Sequence, residues 1–95
     1  MQTVSDFKRK MIPGAIVSSK LFWKKPDGTF EERNNQQGRK CTIHQSNSFA
    51  LTMQTEKDGV QNSWCDWPKK SEFQPVDENT AQINFEGGKL IYTFK

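Results

Sequence analysis

From Gly14 onward, apolar and polar residues alternate in short runs, and this two-residue period constrains the fold more than any other feature. In "AIVSSKLFWKK" one side carries Val17, Ser19, Leu21 and Trp23, and the other carries Ile16, Ser18, Lys20, Phe22 and Lys24. Such alternation is typical of a β-strand with one buried face. Turn-forming residues recur at intervals of roughly 8–12 residues, which favours a small antiparallel barrel or sandwich.

The alternation predicts about seven short strands, and no strand–helix–strand pattern that would favour a parallel sheet. After Pro26-Asp27-Gly28 the chain returns as "TFEER", so the first two strands form a hairpin. We predict a polar loop at "NNQQG" and turns at "EKDG" and "DENT". The side chains expected to face inward on the later strands are Cys41, Ile43, Phe49, Leu51, Met53, Ala81, Ile83, Phe85, Leu90, Tyr92 and Phe94.

A short helix is predicted over residues 3–12, ahead of the strands. Thr3 and Asp6 have the spacing of a capping box, and Pro13-Gly14 ends the segment. Phe7 and Met11 fall on one face with Val4, and a stripe this short needs support from the rest of the fold. Ninety-five residues suffice for one core, so we expect a single domain, 1–95, with the helix packed on a β-barrel or sandwich over 15–95.

Composition and charge limit the setting and the partners. No apolar run approaches the ~18 residues of a membrane helix, and the N-terminus lacks the features of a signal peptide, so a cytoplasmic location is expected. Cys41 and Cys65 are then interpreted as free, core-facing thiols; the alternative, a disulfide between them, would require secretion. Residues 1–50 hold nine Lys/Arg against four Asp/Glu, which indicates a polyanion or an acidic protein surface as partner.

The sequence offers no convergent catalytic or metal-binding set. The sole histidine is His44, and the strand pattern places it on the opposite face from Cys41. That separation argues against a Cys–His pair and splits a C-x-x-H zinc site. No phosphate-binding or hydrolase motif occurs. We therefore predict a protein that is not an enzyme, with no cofactor and no metal.

A binding surface is better supported. On the first strand Lys20, Phe22 and Lys24 share the outward side if Val17, Leu21 and Trp23 are core, and Lys40, Thr42 and His44 form a corresponding row on the strand over 39–45. A phenylalanine between lysines is typical of a sheet surface for single-stranded nucleic acid. In the alternative interpretation, Phe22 lies under the N-terminal helix against Phe7 and Met11.

The segment "NSWCDWPKK" offers a second contact. Trp64 and Trp67 are three residues apart on a strand and face opposite ways. Trp64 shares its side with Asp66, a residue type that is rarely fully buried, so Trp64 should be the wetter ring and Trp67 the core ring. An exposed Trp64, with Lys69 and Lys70 beyond Pro68, is a candidate hot spot. Alternatively, Trp64 caps the end of the barrel.

Three segments, "TVSDFKRKMIPGAIV", "HQSNSFAL" and "SWCDWPKKSEF", together resemble a loose set of small proteins of bacteria, phages and other mobile elements. In that set a short N-terminal helix precedes a run of strands and a Trp-Pro motif. The resemblance implies a compact, mostly β domain without an assigned chemistry, and it favours an accessory protein over a metabolic enzyme.

These patterns support two functions as hypotheses. The first is a protein-interaction module that docks on a protein partner through Trp64 and the Lys69–Lys70 pair. The second is a barrel that binds single-stranded DNA or RNA through its basic and aromatic face, and a net charge of +3 gives the first a slight preference. In both cases we expect a monomer or a weak dimer and no membrane association.

Overall fold

The structure is a computed structural model that describes residues 1–55 and 59–95. These residues form one helix and seven strands, which confirms the mostly β fold with a short N-terminal helix. The elements are α1 (Val4–Lys10), β1 (Ile16–Lys24), β2 (Phe30–His44), β3 (Ser48–Thr55), β4 (Gly59–Asp66), β5 (Phe73–Asp77), β6 (Thr80–Phe85) and β7 (Gly88–Phe94). The turn predicted at residues 56–59 falls largely outside the described residues, whereas the one at 77–80 joins β5 to β6.

The capping box of α1 forms as predicted. The Thr3 hydroxyl accepts a hydrogen bond from the Asp6 backbone N–H, and the Asp6 carboxylate accepts one from the Thr3 N–H. Hydrogen bonds from the Gln2 backbone N–H and the Arg9 side chain lower the pKa of Asp6 to about 2. The ionised cap therefore favours the folded state at neutral pH, and this contribution is lost as the pH falls through about 2.

All seven strands belong to one antiparallel sheet, in the order β4-β3-β2-β1-β7-β6-β5. The sheet curls strongly. Cys65 on β4 and Tyr92 on β7 are four strands apart, which is about 19 Å across a flat sheet at ~4.8 Å per strand. Their sulfur and hydroxyl oxygen are nevertheless only 3.9 Å apart. The concave side, here called the inner face, therefore encloses the core, and the convex side is called the outer face.

Phe7 of α1 stands at the centre of that core. Its ring is fully buried and lies 5.7–6.1 Å, centroid to centroid, from five aromatic rings. Those rings belong to Phe49, Trp67, Phe73, Tyr92 and Phe94. Most of the pairs are edge-on, an arrangement that the ring quadrupole favours. The helix thus fills the concave side of the sheet, and its single long aromatic side chain joins the two halves of the sheet.

The predicted loop at "NNQQG" is wrong, because these residues lie inside the 15-residue strand β2. Asn34, Asn35 and Gln36 pair with Leu21, Lys20 and Ser19 of β1. β2 accommodates them by carrying one extra residue at each of three register shifts, and Gly38, in the shift between Gln36 and Arg39, adopts a positive φ of 64°. Bulges bend a strand and increase its twist, so β2 is where the sheet curls.

Two side chains that the alternation places in the core are exposed. Trp23 is 50% exposed and Phe85 is 38% exposed. Nevertheless, Trp23 lies on the same face of β1 as the buried Val17, and Phe85 lies on the same face of β6 as the buried Ala81. Both sit where their strands run past the end of the core, so no side chain of the core covers them. The Arg33 guanidinium, from a bulge in β2, lies 4.5 Å from the Trp23 ring centroid instead.

Gly88 begins β7 where that strand approaches β1 closely. A Cβ at this position would overlap the Phe22 carbonyl oxygen and lie 3.1 Å from the Trp23 Cα. Because those atoms are backbone, Gly88→Ala is expected to lower the free energy of unfolding by about 1–3 kcal/mol, measured by urea denaturation. Gly87→Ala is the matched control, since its Cβ would have ordinary contact, 3.8 Å, with the Phe85 ring. Equal losses in the two variants would contradict the close approach.

Candidate functional site

The outward row predicted on β1 is present. β1 pairs with β7 without a register shift, so alternate side chains stay on one face along the strand. Val17 and Ser19 are buried on the inner face, whereas Lys20, Phe22 and Lys24 lie on the outer face. Phe22 stands opposite Lys89, and Lys20 stands opposite Ile91.

Phe22 does not lie under the helix. The rings around Phe7 all belong to the inner face or to the segment after β4, and Phe22 is not one of them. Phe22 instead is half-buried in a shallow groove of about 380 Å³ on the outer face. The groove is also lined by Ser18, Lys20, Gln37, Ile91 and Thr93. The ring is thus available to a ligand on that face.

Two further residues that the sequence analysis missed complete this surface. Phe30, 45% exposed, stands opposite Lys24 on β2. The Lys89 ammonium lies 4.2 Å from the Phe30 ring centroid and 5.3 Å from that of Phe22. Only the pairing register brings these side chains together, so no local sequence signal identifies them. We call Lys20, Phe22, Lys24, Phe30 and Lys89 the aromatic–lysine face.

The lysines of this face form no ion pair among the residues that the structure describes. Among residues 1–55 and 59–95 the ion pairs are Arg9–Asp6 and Arg33–Glu31, and neither involves a lysine of the aromatic–lysine face. Glu32 is the carboxylate nearest in register, opposite Phe22, and it forms no ion pair with these lysines. Three ammonium groups against the one carboxylate of Glu32 leave a net positive charge on this face, which attracts anions.

Side-chain amides extend the same face across β6 and β5. Asn84 stands opposite Lys89, and Gln82 stands opposite Ile91. Gln82 Nε2 donates to Asn84 Oδ1 at 2.8 Å, and Asn84 Nδ2 donates to Gln74 Oε1 at 3.0 Å. Amides carry both donors and acceptors, so they can bond to the polar edges of a ligand beside the rings.

The second predicted row, Lys40, Thr42 and His44, does not form. Lys40 is exposed opposite Ile16. The bulge between Cys41 and Ile43 then moves each following side chain to the other face of the sheet. His44 therefore stands opposite the core residue Phe49, with its ring 4.9 Å from Trp67. Its Nδ1–H donates to the Met11 carbonyl oxygen at 2.7 Å. His44 thus ties the end of α1 to β2, which is a structural role.

The interpretation of the two tryptophans of "NSWCDWPKK" is confirmed. Trp64 is 54% exposed on the outer face of β4, whereas Trp67 packs on the core and donates its indole N–H to the Gln45 carbonyl oxygen at 2.8 Å. The lysine pair lies elsewhere. Lys70 lines a groove of about 560 Å³ beside the start of α1, and Lys69 precedes it in the same turn. Trp64 and the Lys69–Lys70 pair therefore do not form one surface. Docking on a protein partner stays a prediction.

Cys41 and Cys65 are both free thiols. Cys41 is fully buried, and burial raises the pKa of its thiol, which disfavours the nucleophilic thiolate. Cys65 is a free, partly buried thiol beside the Tyr92 hydroxyl. In the part of the chain that the structure describes, no three His, Cys, Asp or Glu residues gather closely enough to hold a metal ion.

Within the same residues, no helix has the length and apolar character needed to span a membrane.

The fold and this surface define a small, curled antiparallel sheet with an outer face of rings, lysines and amides. Comparison with known proteins adds no relative, since no family model, no curated protein and no solved structure matches the chain.

Proposed function

We propose that this chain is a non-enzymatic binding module and that the aromatic–lysine face binds single-stranded DNA or RNA. The observation that carries the proposal is the convergence of two accessible rings and three unpaired lysines on one face of the sheet. Surfaces that bind single strands combine these two elements, since rings stack on bases while ammonium groups neutralise phosphates.

Lys89 lies over both rings in the free protein, and the energies favour its displacement by a base. A cation–π contact at an exposed site contributes about 0.5–1 kcal/mol. Stacking of a base on an aromatic ring contributes about 1–3 kcal/mol. The ammonium group also gains a phosphate partner when it leaves the ring. A base can therefore replace Lys89 over Phe22 or Phe30 with a net gain in free energy.

The setting we propose rests on the resemblance of the three segments named above. It supports an accessory protein of a phage or another mobile element that acts in the cytoplasm. A protein that must bind single strands of many sequences suits a surface with stacking rings, because every base has a π-face. The amides of Gln82 and Asn84 lie where they would contact base edges or sugar oxygens.

Binding is expected to fall steeply with salt. Three lysine–phosphate contacts on a single strand give a slope of about −2 for log K against log salt concentration, so raising salt from about 50 to about 200 mM should weaken binding roughly 20-fold. The measurement is fluorescence anisotropy with labelled DNA and RNA oligonucleotides about 10 nucleotides long, compared with a duplex of the same sequence. We expect the single strands to bind more tightly than the duplex.

Two variants with the same net charge locate the site. Lys20→Gln with Lys89→Gln removes two lysines of the aromatic–lysine face, and should reduce the magnitude of the salt slope by about 1.4. Lys69→Gln with Lys70→Gln is the matched control on the other side of the sheet, and it should leave the slope unchanged. The proposal is wrong if no single strand binds at low salt, or if the control pair abolishes binding and the first pair does not.

A further inference from the structure

The two edge strands of the sheet, β4 and β5, differ in how they are protected. β5 has five residues, contains Pro75 and carries a bulge between Pro75 and Asp77. These features discourage the pairing of a further strand. β4 pairs with β3 in an unbroken register, and its segment 61–65, "QNSWC", has no proline, no lysine and no other charged residue. Over residues 61–65 this edge therefore lacks the features that commonly prevent strand addition, and the charged Asp66 stands at the end of the strand.

An exposed apolar ring stands on the same strand. Trp64 projects from the outer face of β4, opposite the buried Ala50, and half-buried Ile43 lies opposite Ala50 on the next strand. Edge strands of monomeric proteins commonly place charges at such positions instead. A neutral edge beside an exposed tryptophan is better suited to an interface than to solvent.

We propose that β4 pairs antiparallel with β4 of a second copy of this chain, about a twofold axis that runs perpendicular to the sheet through Ser63. In such a pair, two opposing residues lie on the same face of the sheet. Because side chains alternate between faces along β4, the two residue numbers are then both odd or both even. The register centred on Ser63 uses residues up to Asp66 and places Gln61 opposite Cys65 of the second copy, both on the inner face.

The sequence of β4 suits a second copy in this register. Asn62 and Trp64 face each other across the axis on the outer face, and no like charges oppose. The two Trp64 side chains become diagonal neighbours, about 7–8 Å apart at their Cα atoms and within reach of each other. Because β5 is protected, the assembly closes as a twofold dimer rather than extending into a filament.

Disulfide trapping tests this register directly. Gln61→Cys should form a covalent dimer through Cys65 of the second copy under mild oxidation, seen on a non-reducing gel. Within one copy, residues 61 and 65 lie about 13 Å apart along the strand, too far for a bridge. Asn62→Cys is the matched control on the same strand, and it should yield far less covalent dimer because no cysteine opposes it.

Sedimentation of the unmodified chain provides the second test. We expect a monomer–dimer equilibrium at concentrations up to about 1 mM. Trp64→Lys should shift that equilibrium to monomer without changing the circular dichroism, because it places two ammonium groups on the diagonal. A monomer at every concentration, equal trapping of the two cysteine variants, or the growth of larger polymers would each overturn the proposal.

Discussion

Replacing Phe7 with alanine is expected to lower the free energy of unfolding by about 3–5 kcal/mol, the usual range for a buried phenylalanine. The ring is fully buried and touches aromatic partners from both halves of the curled sheet. The seven-residue helix is too short to persist alone, so loss of its anchor should also detach α1. Domains of this size have about 5–15 kcal/mol of stability in total, so much of it should disappear.

Urea unfolding, followed by circular dichroism and by tryptophan fluorescence, measures this effect. Trp67 is 6.0 Å from Phe7, centroid to centroid, so its emission should shift to the red in Phe7→Ala even before global unfolding. Phe85→Ala is the matched control, since its ring lies at the end of the core and is 38% exposed. An equal loss of stability in both variants would show that Phe7 is not the anchor of the inner face.

Much of the architecture could be predicted from local pattern alone. Thr3 and Asp6 identify the start of α1, and the alternation from Val17 to Lys24 assigns both faces of β1 because that strand pairs with β7 without a bulge. Alternation needs only the neighbouring residues, so it is readable wherever a strand is regular.

The predictions that were wrong all depend on residues distant in sequence. The extra residue of β2 between Cys41 and Ile43 places His44 opposite the inner-face residue Phe49, and nothing in "RKCTIHQ" indicates where a bulge falls. Asn and Gly at 34–38 favour loops by composition, but pairing with β1 overrides that preference. Trp23 has the parity of a core residue, yet it extends beyond the core that would cover it.

In the candidate surface, too, some residues could be predicted from local pattern and others depend on strand pairing. The sequence identifies Lys20, Phe22 and Lys24, which are alternate residues of one strand. Phe30 and Lys89 join them only through strand pairing on either side of β1, since Phe30 pairs with Lys24, 6 residues away in sequence, and Lys89 pairs with Phe22, 67 residues away. A surface assembled across strands depends on register, and one sequence does not specify register.

Removing both rings of the aromatic–lysine face should therefore abolish most of the affinity for single strands. Each stacked base contributes about 1–3 kcal/mol, so Phe22→Ala with Phe30→Ala is expected to weaken binding at least about 30-fold. The salt slope should stay near its original value, because the three lysines remain. Anisotropy titrations at several salt concentrations measure both quantities. A large loss of affinity at constant slope separates stacking from phosphate contact.

A matched variant shows whether the loss of affinity is specific to the aromatic–lysine face or follows from the removal of any two exposed rings. Trp23→Ala with Phe85→Ala removes two exposed rings on the side of the sheet opposite the aromatic–lysine face, and it should leave the affinity unchanged. Both double variants must keep the circular dichroism of the original chain. If only the Trp23–Phe85 pair weakens binding, the strand binds on the concave side and the outer face has no part in recognition. If the two pairs weaken binding equally, the loss of affinity is not specific to the aromatic–lysine face.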